Sequence, residues 1–182
     1  MKFNASCVDN VEVHGIGLGD KEGVFKLVEN PTNLGGSSIK YGDTLKNRNV
    51  DIRVKRLDDL ALDLSLLCFV KIDVEGFESN VLRGGIQTIK KSKPIIAFEQ
   101  FESEFLDGTT ESISLLSDIG YRFCWYRAGT LSKLWVIRRF YNIKELAMGR
   151  THRMVTGQNV PKDTYSMLIA VPPQYHGILG LA

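Results

Sequence analysis

The segment Cys68–Asn80 constrains this chain more than any other. It opens with a short apolar run, Cys68-Phe69-Val70, too short for a helix and bounded by polar residues. That is the pattern of a strand buried in a parallel sheet. It ends in three carboxylates, Asp73, Glu75 and Glu78. Side chains alternate along a strand, so Lys71, Asp73 and Glu75 are expected on one side. Gly76 frees the backbone to turn. Phe77, Val81, Leu82, Ile86 and Ile89 then follow at helical spacing and predict a single helix over residues 77–92. Acids therefore gather where a strand gives way to a helix, the place where open α/β sheets bind ligands. Taken singly, Glu75 and Glu78 also suit the positive end of a helix, and Lys71 with Asp73 a solvated ion pair. Four ionisable groups within eight residues favour a site.

The same residues carry a resemblance. Lys71-Ile72-Asp73-Val74-Glu75-Gly76-Phe77-Glu78, followed by Val81-Leu82-Arg83-Gly84-Gly85 and by Pro94-Ile95-Ile96-Ala97-Phe98-Glu99, resembles the FkbM family of S-adenosylmethionine-dependent methyltransferases. Leu57-Asp58-Asp59-Leu60 is similar to a further signature of that family. The resemblance runs roughly from Val11 to Val171, and Lys71–Glu78 is its most specific part. It implies an α/β fold of the Rossmann-like class I methyltransferase kind, with a mostly parallel sheet and an accessory β-hairpin. It also implies methyl transfer from S-adenosylmethionine to a hydroxyl oxygen of a saccharide or another small molecule. Residue by residue, it implies that Asp73 lies near the methionine end of the cofactor and that Gly19 and Asp20 sit where adenine is contacted. Glu75 is implied as the base or acceptor-orienting group, with Lys71 and Glu78 tuning or positioning these acids. Glu99 borders the same cleft from the next strand.

Along the chain, Val11-Glu12-Val13-His14-Gly15-Ile16 reads as a strand. The G-x-G-x-G that follows, Gly15 to Gly19, runs into the turn sequence Asp20-Lys21-Glu22-Gly23 and another strand, Val24–Val28, where a nucleotide loop needs a helix. By the resemblance this segment is the family's third strand. An earlier strand, a glycine-rich loop, a helix and a second acid-ended strand do not fit before Val11. The expectation is an incomplete domain that supplies only one half of a cofactor site and is inactive alone. The loop Asn30–Ser38 lacks the Gly-Lys-Ser/Thr of a triphosphate-binding loop. Val50–Arg56 alternates apolar with charged residues, a half-exposed strand expected to pair with Val24–Val28. Pro94–Glu99 reads as a buried strand, Thr110–Ile119 as a helix ended by Gly120, and Tyr121–Tyr126 and Tyr165–Val171 as the last strands. The repeated strand–helix–strand order argues α/β.

A chain of 182 residues accommodates one domain with a sizeable core, taken here as 1–182. The net charge of +2 conceals an uneven distribution. Between Arg127 and Thr164 eight cations stand against two acids, so that insert is +6 and the remainder −4. Trp135, Phe140 and Tyr141 are interleaved with the cations. One reading is a cap that recognises an anionic or sugar-like acceptor through Arg138 and Arg139. The other is an exposed amphipathic helix packing its aromatics on the sheet. No nucleic-acid module motif is present. Cys7, Cys68 and Cys124 are far apart, with no C-x-x-C or Cys/His cluster, so neither a disulfide framework nor a zinc site is indicated and a reducing, cytoplasmic setting is expected. The start, Met1–Ser6, lacks the apolar core of a signal peptide, and no apolar run reaches membrane-spanning length. His14, His152 and His176 lie outside any nucleophile motif. Two further readings stay open: a non-catalytic binding module, and a metal-dependent enzyme using Asp73, Glu75 and Glu78 as oxygen ligands.

Overall fold

Two mixed sheets and three short helices make up the described part of the chain. The computed structural model describes residues 10–28, 38–39, 49–128 and 152–181. The first sheet has the order β1-β4-β2-β3, from β1 (Gly17–Leu18), β2 (Gly23–Val28), β3 (Ser38–Ile39) and β4 (Asn49–Lys55). The second has the order β5-β6-β9-β7-β8, from β5 (Phe69–Ile72), β6 (Ile95–Gln100), β7 (Arg122–Ala128), β8 (His152–Gly157) and β9 (Tyr165–Val171). The helices are α1 (Glu78–Gly84), α2 (Ile86–Ser92) and α3 (Glu111–Ser117).

The predicted parallel pair around the central segment is present, but β5 is an edge strand with Cys68 and Phe69 exposed rather than the buried strand expected, because only β6 pairs with it. β5 and β6 are adjacent and parallel, paired from Phe69 with Ile95 to Ile72 with Phe98. The accessory hairpin is present as well, with β2 antiparallel to β4 from Gly23 with Val54 to Val28 with Asn49. Thr110 accepts the Ile113 amide at 3.3 Å and so caps α3, while Gly120, at φ 87°, ends the turn that follows.

Four further expectations need correction. The sheets are mixed rather than mostly parallel: β1–β4 and β5–β6 are the parallel pairs, and the other pairings are antiparallel. A neighbouring parallel pair needs a crossover, and β5-α1-α2-β6 supplies one, whereas β9 enters between β6 and β7 running the opposite way. The strand expected over Val11–Ile16 is confined to Gly17–Leu18. Val11 and Val13 are exposed, so their alternation with Glu12 and His14 is not rewarded by burial. The helix expected over residues 77–92 is broken at Gly85, whose φ of −118° lies outside the helical range. A β-carbon there would lie 3.0 Å from Leu57, so the break lets the Leu57–Asp59 turn close on the helix. Finally, the basic stretch 127–164 contains a strand, β8, paired antiparallel with β7.

The core lies between the second sheet and the helices. Leu82, Ile96, Phe98, Leu116, Phe123 and Leu168 are fully buried in it. Each contributes roughly 1.5–3 kcal/mol by leaving water. On the opposite face of that sheet, Cys124, Val171 and Leu181 form a second small cluster with Ile169 and Tyr175, so the C-terminal segment covers part of that face. Cys68 is exposed and Cys124 buried. Among the described residues no helix is long and apolar enough to cross a membrane.

Candidate active site

The register of β5 against β6 decides which acids meet. Ile72 pairs with Phe98, so one step further along two parallel strands Asp73 comes beside Glu99. Glu75 joins them through a tight turn in which Glu75 has φ 52° and Gly76 φ 91°. For Glu75 this left-handed conformation is strained, of order 1–3 kcal/mol, and such strain clusters at functional sites. Carboxylate oxygens of Asp73, Glu75 and Glu99 lie within 4.8 Å of one another. Lys71 adds the balancing charge, with its Nζ 2.5 Å from Asp73 Oδ2. Burial comes first, and the like charges of Glu75 and Asp73 second, in pushing the Glu99 carboxyl above its ordinary value.

Glu78 does not share this cluster. It is 2% exposed and turned inward. Its Oε1 accepts the Val74 amide at 3.3 Å. Burial raises its pKa against the lowering effect of the amides of Glu78, Val74 and Gly76, and the nearby Glu104 adds to the rise. A polar cavity of about 260 Å³ lies on the helix-covered side of the sheet, lined by Ser79, Gln100, Glu104, Thr109 and Thr110 among others. None of the candidate site residues lines it.

Gly19 and Asp20 follow β1 and are held from several sides. The Gly19 amide donates to Lys55 O at 3.0 Å. Arg56 donates to the Asp20 carbonyl at 3.1 Å, Asn80 donates to the Asp20 carboxylate at 3.2 Å, and Arg83 Nε stands 3.6 Å from that carboxylate. Arg83 also pairs with Glu111. A β-carbon on Gly84 would lie 1.9 Å from Gly19 O, so α1 touches this turn backbone to backbone. Arg138 and Arg139 lie outside the described residues.

Sequence reasoning missed Arg56, Asn80 and Arg83 as the groups that fix Asp20. Arg83 was inside a quoted motif, but its partner is 63 positions away and only the fold brings them together. It also missed a feature of β9. The register passes from Phe98 with Leu168 to Gln100 with Tyr165, so Glu99 stands opposite two residues, Ser166 and Met167. Such bulges re-aim side chains beside functional sites.

The family model described as the methyltransferase FkbM domain matches residues 4–123. The chain belongs to the FkbM family. No curated protein matches the chain, and no solved structure does. Within this FkbM chain the match takes in β1 to the start of β7, and with them Asp20, Asp73, Glu75 and Glu99; it stops short of β8 and β9. Membership places the chain among methyltransferases.

Proposed function

We propose that this protein transfers a methyl group from S-adenosylmethionine to a hydroxyl oxygen of a saccharide or small molecule. The observation that carries the reading is the gathering of Asp73, Glu75 and Glu99 within 4.8 Å at the carboxyl ends of two parallel strands, in a chain of a methyltransferase family. Bound S-adenosylmethionine supplies a methyl group on a sulfonium centre. The exposed carboxylate of Asp73 suits the ammonium group of its methionine end, which we assign there. We assign the Gly19–Asp20 turn, fixed by Arg56 and Arg83, to the adenine end.

Displacement at a methyl carbon needs an aligned acceptor that loses its proton. Glu75, presented on the strained turn, orients the acceptor hydroxyl. Glu99 is the better base of the two on physical grounds, because burial and its acidic neighbours raise its proton affinity. Lys71 holds Asp73 in place through their ion pair, and Glu78 holds the turn from inside.

A metal-dependent reading would draw on Asp73, Glu75 and Glu99, because Glu78 faces the interior. Calorimetric titration with S-adenosylmethionine and with magnesium, each alone, separates the readings. Heat from the cofactor alone supports methyl transfer, and heat from magnesium alone replaces it with the metal reading. Heat from neither leaves a binding module.

A further inference from the structure

The carboxyl ends of three strands point the same way. β9 is antiparallel to both β6 and β7, so β7 runs parallel to β6 and to β5. Asp73 and Glu99 stand at the ends of β5 and β6. The residue at the corresponding level of β7 is Tyr126, since Trp125 pairs with Leu168 and Tyr126 follows it, level with Met167. Tyr126 in turn pairs with Met154 of β8. One row therefore crosses the sheet: Asp73, Glu99, then Ser166 and Met167 at the bulge, then Tyr126 and Met154.

This row lies on the face away from the helices. Its neighbours Trp125, Leu168 and Val155 belong to the core, while Tyr126 is 57%, Met154 49% and Met167 47% exposed. The C-terminal segment covers Cys124 and Ile169 one level below and Val171 two levels below. The row thus has carboxylates and the exposed Ser166 at one end, and an aromatic ring flanked by two thioethers at the other.

We propose that Tyr126, with Met154 and Met167, is an acceptor subsite that packs against the C–H face of a neutral saccharide whose neighbouring ring presents its hydroxyl to the carboxylates. The proposal rests on the methyl-transfer reading and deepens it. Three carboxylates and one serine accept hydrogen bonds from hydroxyls, and with Lys71 as their one ion-pair partner among the described residues they repel an anionic acceptor. β6 and β7 are separated by β9, so Glu99 and Tyr126 are about 10 Å apart at two strand spacings. That exceeds one pyranose ring, so the acceptor is a disaccharide or longer. Tyr126, Met154 and Met167 all lie beyond the residues that match the family model.

The test is saturation-transfer NMR on the full chain with cellobiose, maltose and chitobiose, with glucose, glucose 6-phosphate and phenol as controls. At least one disaccharide is expected to receive saturation at its ring C–H protons. The Tyr126→Ala variant should bind it about tenfold more weakly, the loss of one aromatic contact, and Tyr126→Phe should keep the affinity. Circular dichroism of each variant checks that this exposed substitution leaves the fold intact. Binding of no sugar, equal binding by Tyr126→Ala, or preference for phenol or glucose 6-phosphate overturns the subsite. Methyl transfer to an acceptor whose KM is unmoved in Tyr126→Ala overturns the subsite and leaves the reaction standing. Disaccharide binding through Tyr126 with no transfer from S-adenosylmethionine upholds the subsite and removes the reaction.

Discussion

The carboxylate of Glu78 reaches back over four residues and accepts the amide of Val74 at 3.3 Å, closing from inside the turn that presents Glu75 outward. Its second oxygen, Oε2, is buried with no hydrogen-bond partner among the described residues. One carboxylate group thus clamps the turn while part of its charge is poorly solvated, and the two effects oppose each other in its titration.

Burial outweighs the three amides, and the folded pKa of Glu78 lies above its unfolded value. The native state then binds more protons than the unfolded chain between those two values. Stability from this group is fully present below the ordinary glutamate range and is lost as pH rises through the raised value. Glu78→Gln keeps an oxygen for Val74 and removes the ionisation, so it should raise the thermal midpoint at neutral pH and flatten its pH dependence. Glu78→Ala should lower the midpoint at every pH. Parallel pH profiles for wild type and Glu78→Gln would show that the charge is not strained.

Gly84→Ala sets two effects of opposite sign against each other. Helix propensity favours alanine by about 1 kcal/mol. The new β-carbon, however, would lie 1.9 Å from Gly19 O, a backbone atom that cannot swing aside. Overpacking of this kind costs roughly 1–3 kcal/mol, and this contact belongs at the upper end. The clash wins, and the midpoint should fall by several degrees, at about 2–4 °C per kcal/mol for a chain of this size. An unchanged or raised midpoint would show that α1 can step away from the Gly19–Asp20 turn.

Asp58 caps a helix from a distant part of the chain. Its carboxylate oxygens accept the amides of Gln87 at 3.2 Å and Thr88 at 2.8 Å, satisfying two donors at the start of α2, and Arg56 holds it at 3.5 Å. Losing such a cap costs about 0.5–2 kcal/mol. Asp58→Ala should destabilise by that amount and speed hydrogen exchange at Gln87 and Thr88 selectively. Uniform exchange across α2 in the variant would argue against capping.

Local patterns were legible and cross-strand relationships were not. The apolar run before Asp73 and the helical spacing after Gly76 are short-range signals, and β5, β6 and the intervening helical turn followed from them. The alternation in Val50–Arg56 gave the hairpin partner correctly, because a half-buried strand repeats every two residues. The same alternation misled at Val11–Ile16, where no neighbour buries Val11 and Val13. Leu57-Asp58-Asp59-Leu60 could be quoted as a signature, but its capping role spans about thirty positions. Glu99 was placed beside the acids by its position at the end of a strand. That Glu78 turns inward and Glu99 replaces it in the cluster goes with the left-handed turn at Glu75 and Gly76, which residue spacing does not encode. The place of Tyr126 level with Glu99 was invisible, because it depends on β9 inserting between β6 and β7.

The last prediction concerns which acid takes the proton. Glu99 is held above the ordinary glutamate value by burial first, then by Glu75 and Asp73, with Lys71 opposing. Asp73→Asn removes one like charge and releases Lys71 from its 2.5 Å ion pair, so both changes favour ionised Glu99. The Glu99 carboxyl, followed by carbon NMR, should titrate above the ordinary value in the wild type and at lower pH in Asp73→Asn. If Glu99 is the base, the acid limb of kcat with both substrates saturating should follow it, moving to lower pH in the same variant. Glu99→Gln should then lose about 10²–10⁴ in rate, the usual contribution of a positioned base. Glu75→Gln should retain transfer with a raised acceptor KM and a limb shifted to lower pH, because it too removes a like charge from Glu99. The reverse pattern, with transfer abolished by Glu75→Gln and a normal limb in Glu99→Gln, would hand the base role to Glu75 and leave Glu99 to orient the acceptor.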